Sequence, residues 1–116
     1  MDYIDGYVLA VPTDNKERYR ALAEKAAAKF RDLGALQVTE CWGDDVPDGE
    51  TTSFPMAVKK TPDETVVFSW TIWPSKEVRD EAWSRMMTDP EFAAMGEMPF
   101  DGKRMIYGGF RPILTA

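Results

Sequence analysis

Carboxylates, hydroxyls and indoles are the side chains through which this sequence could do chemistry, because its 116 residues include no histidine. Histidine is the commonest general base and the commonest transition-metal ligand. Proton transfer would therefore fall to Asp, Glu, Lys, Tyr or the single Cys41. Zinc sites need three or four ligands drawn mainly from Cys and His, so a zinc site within one chain is close to excluded. We expect no metal and no other cofactor.

Glu40 is the carboxylate whose position suggests acid–base chemistry. It lies between Val38 and Trp42 on one face of a predicted strand. An acid on an apolar face is desolvated, which raises its pKa and suits it to act as a base. The alternative is a salt bridge to Arg or Lys at the sheet edge. Cys41 lacks the histidine that usually activates a thiol, so we favour a buried, structural role for it over a reactive one.

Aromatic and polar residues supply the other candidates for ligand binding. Trp70 and Trp83 fall on core positions between helix and sheet by periodicity, whereas Trp42 and Trp73 are placed near a pocket or a dimer interface. The planar fork of an arginine can fix an anionic or carbonyl ligand. The alternatives for Arg104 and Tyr107 are a surface ion pair and an interface hydroxyl. The candidate ligand-binding residues are Glu40, Trp42, Ser69, Thr71, Trp73, Arg104 and Tyr107.

The acidic segment Asp44–Glu50 is similar to the start of a calcium-binding loop. Counted from Asp44, however, Val46 occupies a ligand position, and Pro55 stands where the bidentate glutamate belongs. The pattern fails at both places, so a solvated turn is favoured over a weak cation site or a ligand contact.

Alternating and helical patterns predict the elements that must position these side chains. The predicted strands cover Tyr3–Pro12, Ala35–Gly43, Thr65–Trp73 and Lys103–Arg111, with a short edge strand over Phe54–Lys59 and a bulge at Gly108-Gly109. A first helix follows the capping residues Thr13, Asp14 and Asn15, with Asp14 and Glu17 as a capping-box pair, and ends at Gly34. A second helix begins after Ser75 and closes at Thr88-Asp89-Pro90, and a third, short one covers Glu91–Met95.

The order β-α-β-β-α-β predicts one ferredoxin-like α+β domain over residues 1–116, a four-stranded antiparallel sheet with two helices on one face. On the strand Thr65–Trp73 we expect the apolar side to face the helices, that is Val66, Phe68, Trp70 and Ile72. The open side would then carry Val67, Ser69, Thr71 and Trp73. A dimer that packs sheet on sheet would cover it and leave a cleft for a small molecule.

Composition limits the partners and the location of this chain. Its net charge of −6 disfavours a nucleic-acid partner, because phosphate binding draws on Lys and Arg. No apolar run approaches the roughly 18 residues of a membrane span. The beginning Met1–Asp5 has neither a basic region nor an apolar run of a secretory leader. One cysteine suits a reducing compartment, so the cytoplasm is expected.

Several segments together resemble the YbaA-like family of uncharacterised bacterial proteins, a domain of unknown function in the dimeric α/β-barrel superfamily. They are Tyr3–Val8, Glu40–Pro47, Thr52–Pro55, Val66–Trp70, Trp73–Lys76 and Met98–Phe110. The resemblance implies a ferredoxin-like fold and a two-fold dimer. The superfamily includes antibiotic-biosynthesis-type monooxygenases, haem-dependent chlorite dismutases and peroxidases, and muconolactone-isomerase-like enzymes. Because the chain has no histidine to bind haem iron, we do not expect it to belong to the haem-dependent enzymes of this superfamily.

The leading hypothesis is a homodimer whose sheet cleft binds a small aromatic or carbonyl-bearing molecule, as a cofactor-independent isomerase or oxygenase-like enzyme. A non-catalytic small-molecule-binding or stress-accessory protein using the same cleft is the alternative. A purely structural dimer is the third.

Overall fold

Two ten-residue strands pair antiparallel at the centre of a four-stranded sheet of order β2-β3-β1-β4. The structure is a computed structural model that describes residues 1–116. Its strands are β1 (Tyr3–Pro12), β2 (Gln37–Trp42), β3 (Glu64–Trp73) and β4 (Ile106–Phe110). Its helices are α1 (Lys16–Asp32), α2 (Phe54–Ala57), α3 (Lys76–Met87) and α4 (Pro90–Ala93), with 3₁₀ turns at Thr13–Asn15 and Gly102–Arg104. No helix combines the length and the apolar character that crossing a membrane requires. The predicted α+β class with a four-stranded antiparallel sheet is confirmed.

Helix α1 lies on the sheet through one apolar face, as its spacing predicts. Tyr19 packs with Leu9 and Val67 near one end, and Phe30 packs with Trp73 near the other. Gly34 follows the last turn of the helix, and its φ of 114° is left-handed. A side chain there would also meet a methyl group of Val78 at 2.8 Å, so glycine serves both the turn and the close approach of α3.

The face of the sheet that contacts the helices is the opposite of the one predicted. Ser69, Thr71 and Trp73 are buried on the side of α1 and α3, so the prediction that this mixed face is the open one is wrong. Phe68 on the opposite side is 44% exposed, and the core position predicted for Trp70 is wrong for the same reason. On this inward face the Trp73 indole N–H donates to Oδ2 of Asp5 at 3.0 Å.

The face away from α1 and α3 is covered at one end only. Val58, which follows α2, packs on Val8, Ala10 and Val66. Beyond this cover, Phe54, Phe68 and Trp70 form a chain of aromatic contacts with ring centroids 5.8 and 5.6 Å apart. Ile106 and Phe110 of β4 are two further large, exposed apolar side chains on this face. An apolar sheet face is thus left without a partner in the monomer.

Local capping explains two further differences from the predicted elements. The segment 54–57 is a helix and not an edge strand, because the Ser53 Oγ accepts the Met56 N–H at 3.1 Å and Pro55 suits a first turn. The capping box of Asp14 and Glu17 does not form, because residues 13–15 turn as a 3₁₀ helix and no side chain caps α1. The predicted cap at Ser75 is confirmed by its hydrogen bond from the Val78 N–H at 3.2 Å.

Strand β4 pairs with β1 without the predicted bulge. Gly6 lies opposite Gly108 and Asp5 opposite Gly109 in unbroken register. A side chain at Gly109 would overlap the Tyr3 ring, so this glycine serves close packing rather than a change of strand direction.

Candidate functional site

A cavity of about 170 Å³ lies between α1, the inner face of the sheet and the segment 92–105. Its wall is mostly apolar and includes three flexible methionines that can adapt to a guest. The apolar lining consists of Leu9, Leu22, Ala23, Ala26, Phe30, Trp83, Phe92, Met95, Met98, Phe100 and Met105. Its polar lining comes from the side chains of Tyr7, Tyr19, Glu40 and Ser69. An apolar pocket with a few converging polar groups is the usual form of a small-molecule site. We call it the inner cavity.

A short hydrogen bond joins two of these polar residues across the helix–sheet boundary. The Tyr19 hydroxyl of α1 donates to Oε1 of Glu40 on β2 at 2.5 Å. Glu40 is exposed as a residue on the edge strand, but this hydrogen bond to α1 is partly buried. This loss of water raises the pKa of the Glu40 carboxyl, although the Tyr19 and Ser69 hydroxyls oppose the shift. Glu40 therefore combines a strengthened basicity with a hydroxyl that holds it in place.

Tyr7 of β1 brings a hydroxyl without a partner to the same cavity. Its oxygen is buried and makes no hydrogen bond, although the Thr71 hydroxyl is close by. Burial and the nearby Asp5 raise the pKa of Tyr7, so the hydroxyl keeps its proton. A buried, unsatisfied polar group costs about 1–3 kcal/mol, which a ligand oxygen accepting this proton would recover.

A fully bonded carboxylate anchors the sheet to α3 beside the cavity. Oδ2 of Asp5 accepts the indole N–H groups of Trp73 at 3.0 Å and Trp83 at 3.1 Å. The Arg79 guanidinium donates to the same carboxylate, with Nη2 2.8 Å from Oδ1. Asp5 therefore has no free acceptor for a substrate, and its role is to hold Trp83 at the cavity wall.

The sequence candidates divide into those at the inner cavity and those elsewhere. Glu40 and Ser69 line it, and Thr71 lies buried beside the Tyr7 hydroxyl. Trp42 lines a separate outer groove of about 360 Å³ between α1 and β2. Trp73 is fully buried on Asp5 and faces α3 rather than an open cleft.

The two candidates toward the end of the chain lie away from the cavity. Tyr107 is 73% exposed on β4. Arg104 precedes that strand and forms a bidentate ion pair with Glu64, at 2.8 and 2.6 Å. Asp101 and the carbonyl oxygen of Lys59 accept its other donors at 3.0 and 2.8 Å. This is the ion pair that stood as the alternative for Arg104, although it is buried at the glutamate.

Glu64→Gln should lower the free energy of unfolding by about 2 kcal/mol at neutral pH, because the bidentate pair becomes a neutral contact. Arg104 lowers the pKa of Glu64 to about 2 from its ordinary 4.5. A lowered pKa stabilises the fold above the ordinary value, and that stability is lost as the pH falls toward 2. The difference from wild type should therefore shrink in urea unfolding at about pH 3. Glu50→Gln in the exposed loop is the control, and an unchanged difference between the two pH values would contradict this account.

Sequence reasoning did not single out Tyr7 or Tyr19 as site residues. The available signal was the phenol itself, because a tyrosine at a core position needs a partner for its hydroxyl. Glu40 points to the same side of the sheet and supplies that partner for Tyr19.

Solved structures with a similar fold include SnoaB from Streptomyces nogalater, described as a cofactor-independent oxygenase. A variant of SnoaB superposes with a TM-score of 0.61 over 98% of this chain and 95% of that chain, and a second SnoaB structure gives 0.58. The identity is 12% in both cases, so the likeness concerns the fold alone.

Sequence comparisons show much nearer relatives. The uncharacterised protein YbaA of Escherichia coli K12 is 59% identical over 115 residues, which is 98% of each chain, and YbaA of Shigella flexneri matches equally. The model of DUF1428, a family of proteins of unknown function, matches residues 2–102. The resemblance found in the sequence is thereby confirmed, and the chain belongs to the DUF1428 family together with YbaA.

Proposed function

We propose that the inner cavity binds a small enolisable or phenolic molecule and that the chain is a cofactor-independent enzyme which moves a proton with Glu40. One observation carries the proposal: the bonded pair of Tyr19 and Glu40 and the unpartnered Tyr7 hydroxyl share the wall of an apolar cavity. The pair supplies a base, and the free hydroxyl supplies a donor for a ligand oxygen.

The cavity volume sets the size of the ligand. About 170 Å³ is close to the roughly 150 Å³ of an engineered apolar cavity in another protein that holds one benzene molecule. A single ring with one oxygen substituent fits this space. The apolar wall favours the neutral form of such a ligand over an ion.

Proton abstraction from carbon is the reaction these groups support best. The Glu40 carboxylate takes a proton from the carbon beside a carbonyl, and the electrons of that C–H bond form an enolate. The Tyr7 hydroxyl donates a hydrogen bond to the enolate oxygen, and Tyr19 keeps Glu40 in position. When the substrate has a double bond next to that carbon, Glu40 returns the proton to the far end of the double bond, and the product is an isomer of the substrate.

An oxygenase-like outcome starts from the same enolate. Its carbon adds to dioxygen to give a peroxide anion, which takes up the proton held by Glu40 and becomes a hydroperoxide. When that carbon still carries a hydrogen, the hydroperoxide loses water and leaves a new carbonyl. Dioxygen accepts the electrons, so neither a metal nor a flavin is required. The fold shared with a cofactor-independent oxygenase supports this outcome by analogy alone. Oxygen consumption distinguishes it from isomerisation.

Filling the inner cavity tests the proposal. Ala26→Leu places a larger side chain in the space, so we expect at least a tenfold weaker binding of phenol with little loss of stability. Ala21→Leu on the exposed side of α1 is the matched control and should bind phenol as wild type does. Calorimetric titration with phenol gives both affinities. Equal phenol affinity in the two variants would place binding outside this cavity.

A non-catalytic binding or stress-accessory protein is the alternative, and it needs the same cavity but no turnover. Incubation with a metabolite extract followed by mass spectrometry separates the two. Depletion of one compound, absent with Glu40→Gln, identifies an enzyme, whereas retention without depletion identifies a binder.

We also propose that the open sheet face pairs with a second copy of the chain. The face carries Phe68, Trp70 and Ile72 on its central strand β3 and no charged side chain among them. Interface centres are poor in charge, and an exposed apolar face of several hundred Å² is unusual for a monomer. The wild type should sediment at about twice the 13.1 kDa chain mass.

Phe68→Lys should convert this dimer to a monomer at micromolar concentration, because each chain would bury an ammonium group in an apolar interface. Leu36→Lys replaces an equally exposed apolar residue away from this face and should leave the dimer intact. A wild-type chain that sediments as a monomer would refute the pairing.

A further inference from the structure

We propose that the outer groove between α1 and β2 binds a carboxylate-bearing arm of the same substrate, with Lys16 as its cationic partner. The substrate class would then be single-ring enolisable or phenolic compounds with an acidic side chain. This inference rests on the proposed function and adds a second subsite to it.

The outer groove and the inner cavity share part of one wall. Tyr19, Ala23 and Glu40 line both spaces, so the hydrogen-bonded pair stands between them. A ring beside Glu40 in the inner cavity therefore lies next to the groove. A substituent on that ring would run along the small side chains of Ala23 and Ala27, which leave room on the surface of α1.

Lys16 is the cation that such an arm would meet. Its Nζ lies 5.4 Å from the centre of the Trp42 ring, so the indole holds the ammonium at the groove. Lys16 has no carboxylate within ion-pair distance, whereas Arg20 on the next turn is paired with Glu24 at 3.7 Å. One positive charge at this rim is thus left without a protein counterion.

The acidic residues of the groove do not cancel that charge. The Glu24 carboxylate pairs with Arg20, and Oε1 of Glu40 is occupied by the Tyr19 hydroxyl. The whole chain carries a net charge of −6, so its field on average repels an anion. A local, uncompensated lysine beside an apolar groove suits an amphipathic acid better than a neutral or cationic ligand.

A pair of probes that differ only in charge tests this subsite. Phenylbutyrate carries a ring and a carboxylate arm, and its methyl ester lacks the charge. We expect Lys16→Gln to weaken phenylbutyrate binding about fivefold and to leave the ester unchanged, since an exposed ion pair contributes modestly. Lys25→Gln on the exposed side of α1 should change neither affinity. Added salt should weaken only the acid, and only in proteins that keep Lys16.

The outcomes separate this inference from the proposed function. If Lys16→Gln affects acid and ester equally, Lys16 is not the anion partner and the subsite is wrong. If phenol binding also remains sensitive to Ala26→Leu, the proposed function survives that failure. If phenol does not bind to the wild-type protein, the proposed function fails and this inference fails with it.

Discussion

Asp5→Ala should destabilise the fold by about 3 kcal/mol or more, the largest stability effect of any single polar substitution in this chain. The carboxylate is 3% exposed and accepts hydrogen bonds from Arg79, Trp73 and Trp83. Its removal leaves a partly buried guanidinium and two indole N–H groups without acceptors. A cost of this size is a large share of the roughly 5–15 kcal/mol that stabilises a small domain.

Urea unfolding measures this loss of stability, and two further variants serve as comparisons. Asp5→Asn keeps an oxygen for the indoles but removes the charge opposite Arg79. Its stability should therefore lie between those of wild type and Asp5→Ala. Asp2→Ala, three residues earlier and exposed, should have almost no effect. If Asp5→Ala unfolds at the wild-type urea concentration, the network does not hold α3 on the sheet.

Glu40→Gln should lower turnover by at least a hundredfold, within the usual contribution of a general base. Phenol affinity should change little, because the amide keeps the shape of the cavity wall. The pKa of Glu40 is raised, so the ionised form costs stability above that pKa. The variant should therefore be at least as stable as wild type at neutral pH. Glu17→Gln on the exposed side of α1 is the control for removing a carboxylate.

The pH profile connects Glu40 with Tyr19. Activity needs the carboxylate, so the rate should rise with pH through a value above the ordinary 4.5 of glutamate. The Tyr19 hydroxyl lowers the Glu40 pKa, hence Tyr19→Phe should move the rise to higher pH. A purely structural tyrosine would leave the profile in place. A Glu40→Gln protein with wild-type turnover would exclude Glu40 as the base.

Local patterns were enough to predict the framework of the fold. Alternation located the four strands of the sheet, and helical spacing located α1. Gly34 and Ser75 marked one helix end and one helix start correctly. These signals lie within a few residues of what they determine, so one sequence is sufficient to detect them.

Long-range pairing explains what could not be predicted. The apolar face of β3 was assigned to the helices because it is the more hydrophobic, but Asp5 on the neighbouring strand finds its partner Arg79 on α3. That contact spans 74 positions of sequence, and no local pattern reveals it. The hydrogen bond of Tyr19 to Glu40, 21 positions apart, could not be predicted for the same reason.

The inner cavity is the proposed ligand site, where Glu40 acts as the base and the Tyr7 hydroxyl donates a hydrogen bond to the ligand. A crystal structure of the protein with phenol tests this most directly. We expect the ring between Leu22, Ala26 and Phe100, with its oxygen within hydrogen-bond distance of the Tyr7 hydroxyl. Phenol on the open sheet face, with an unoccupied inner cavity, would contradict the claim.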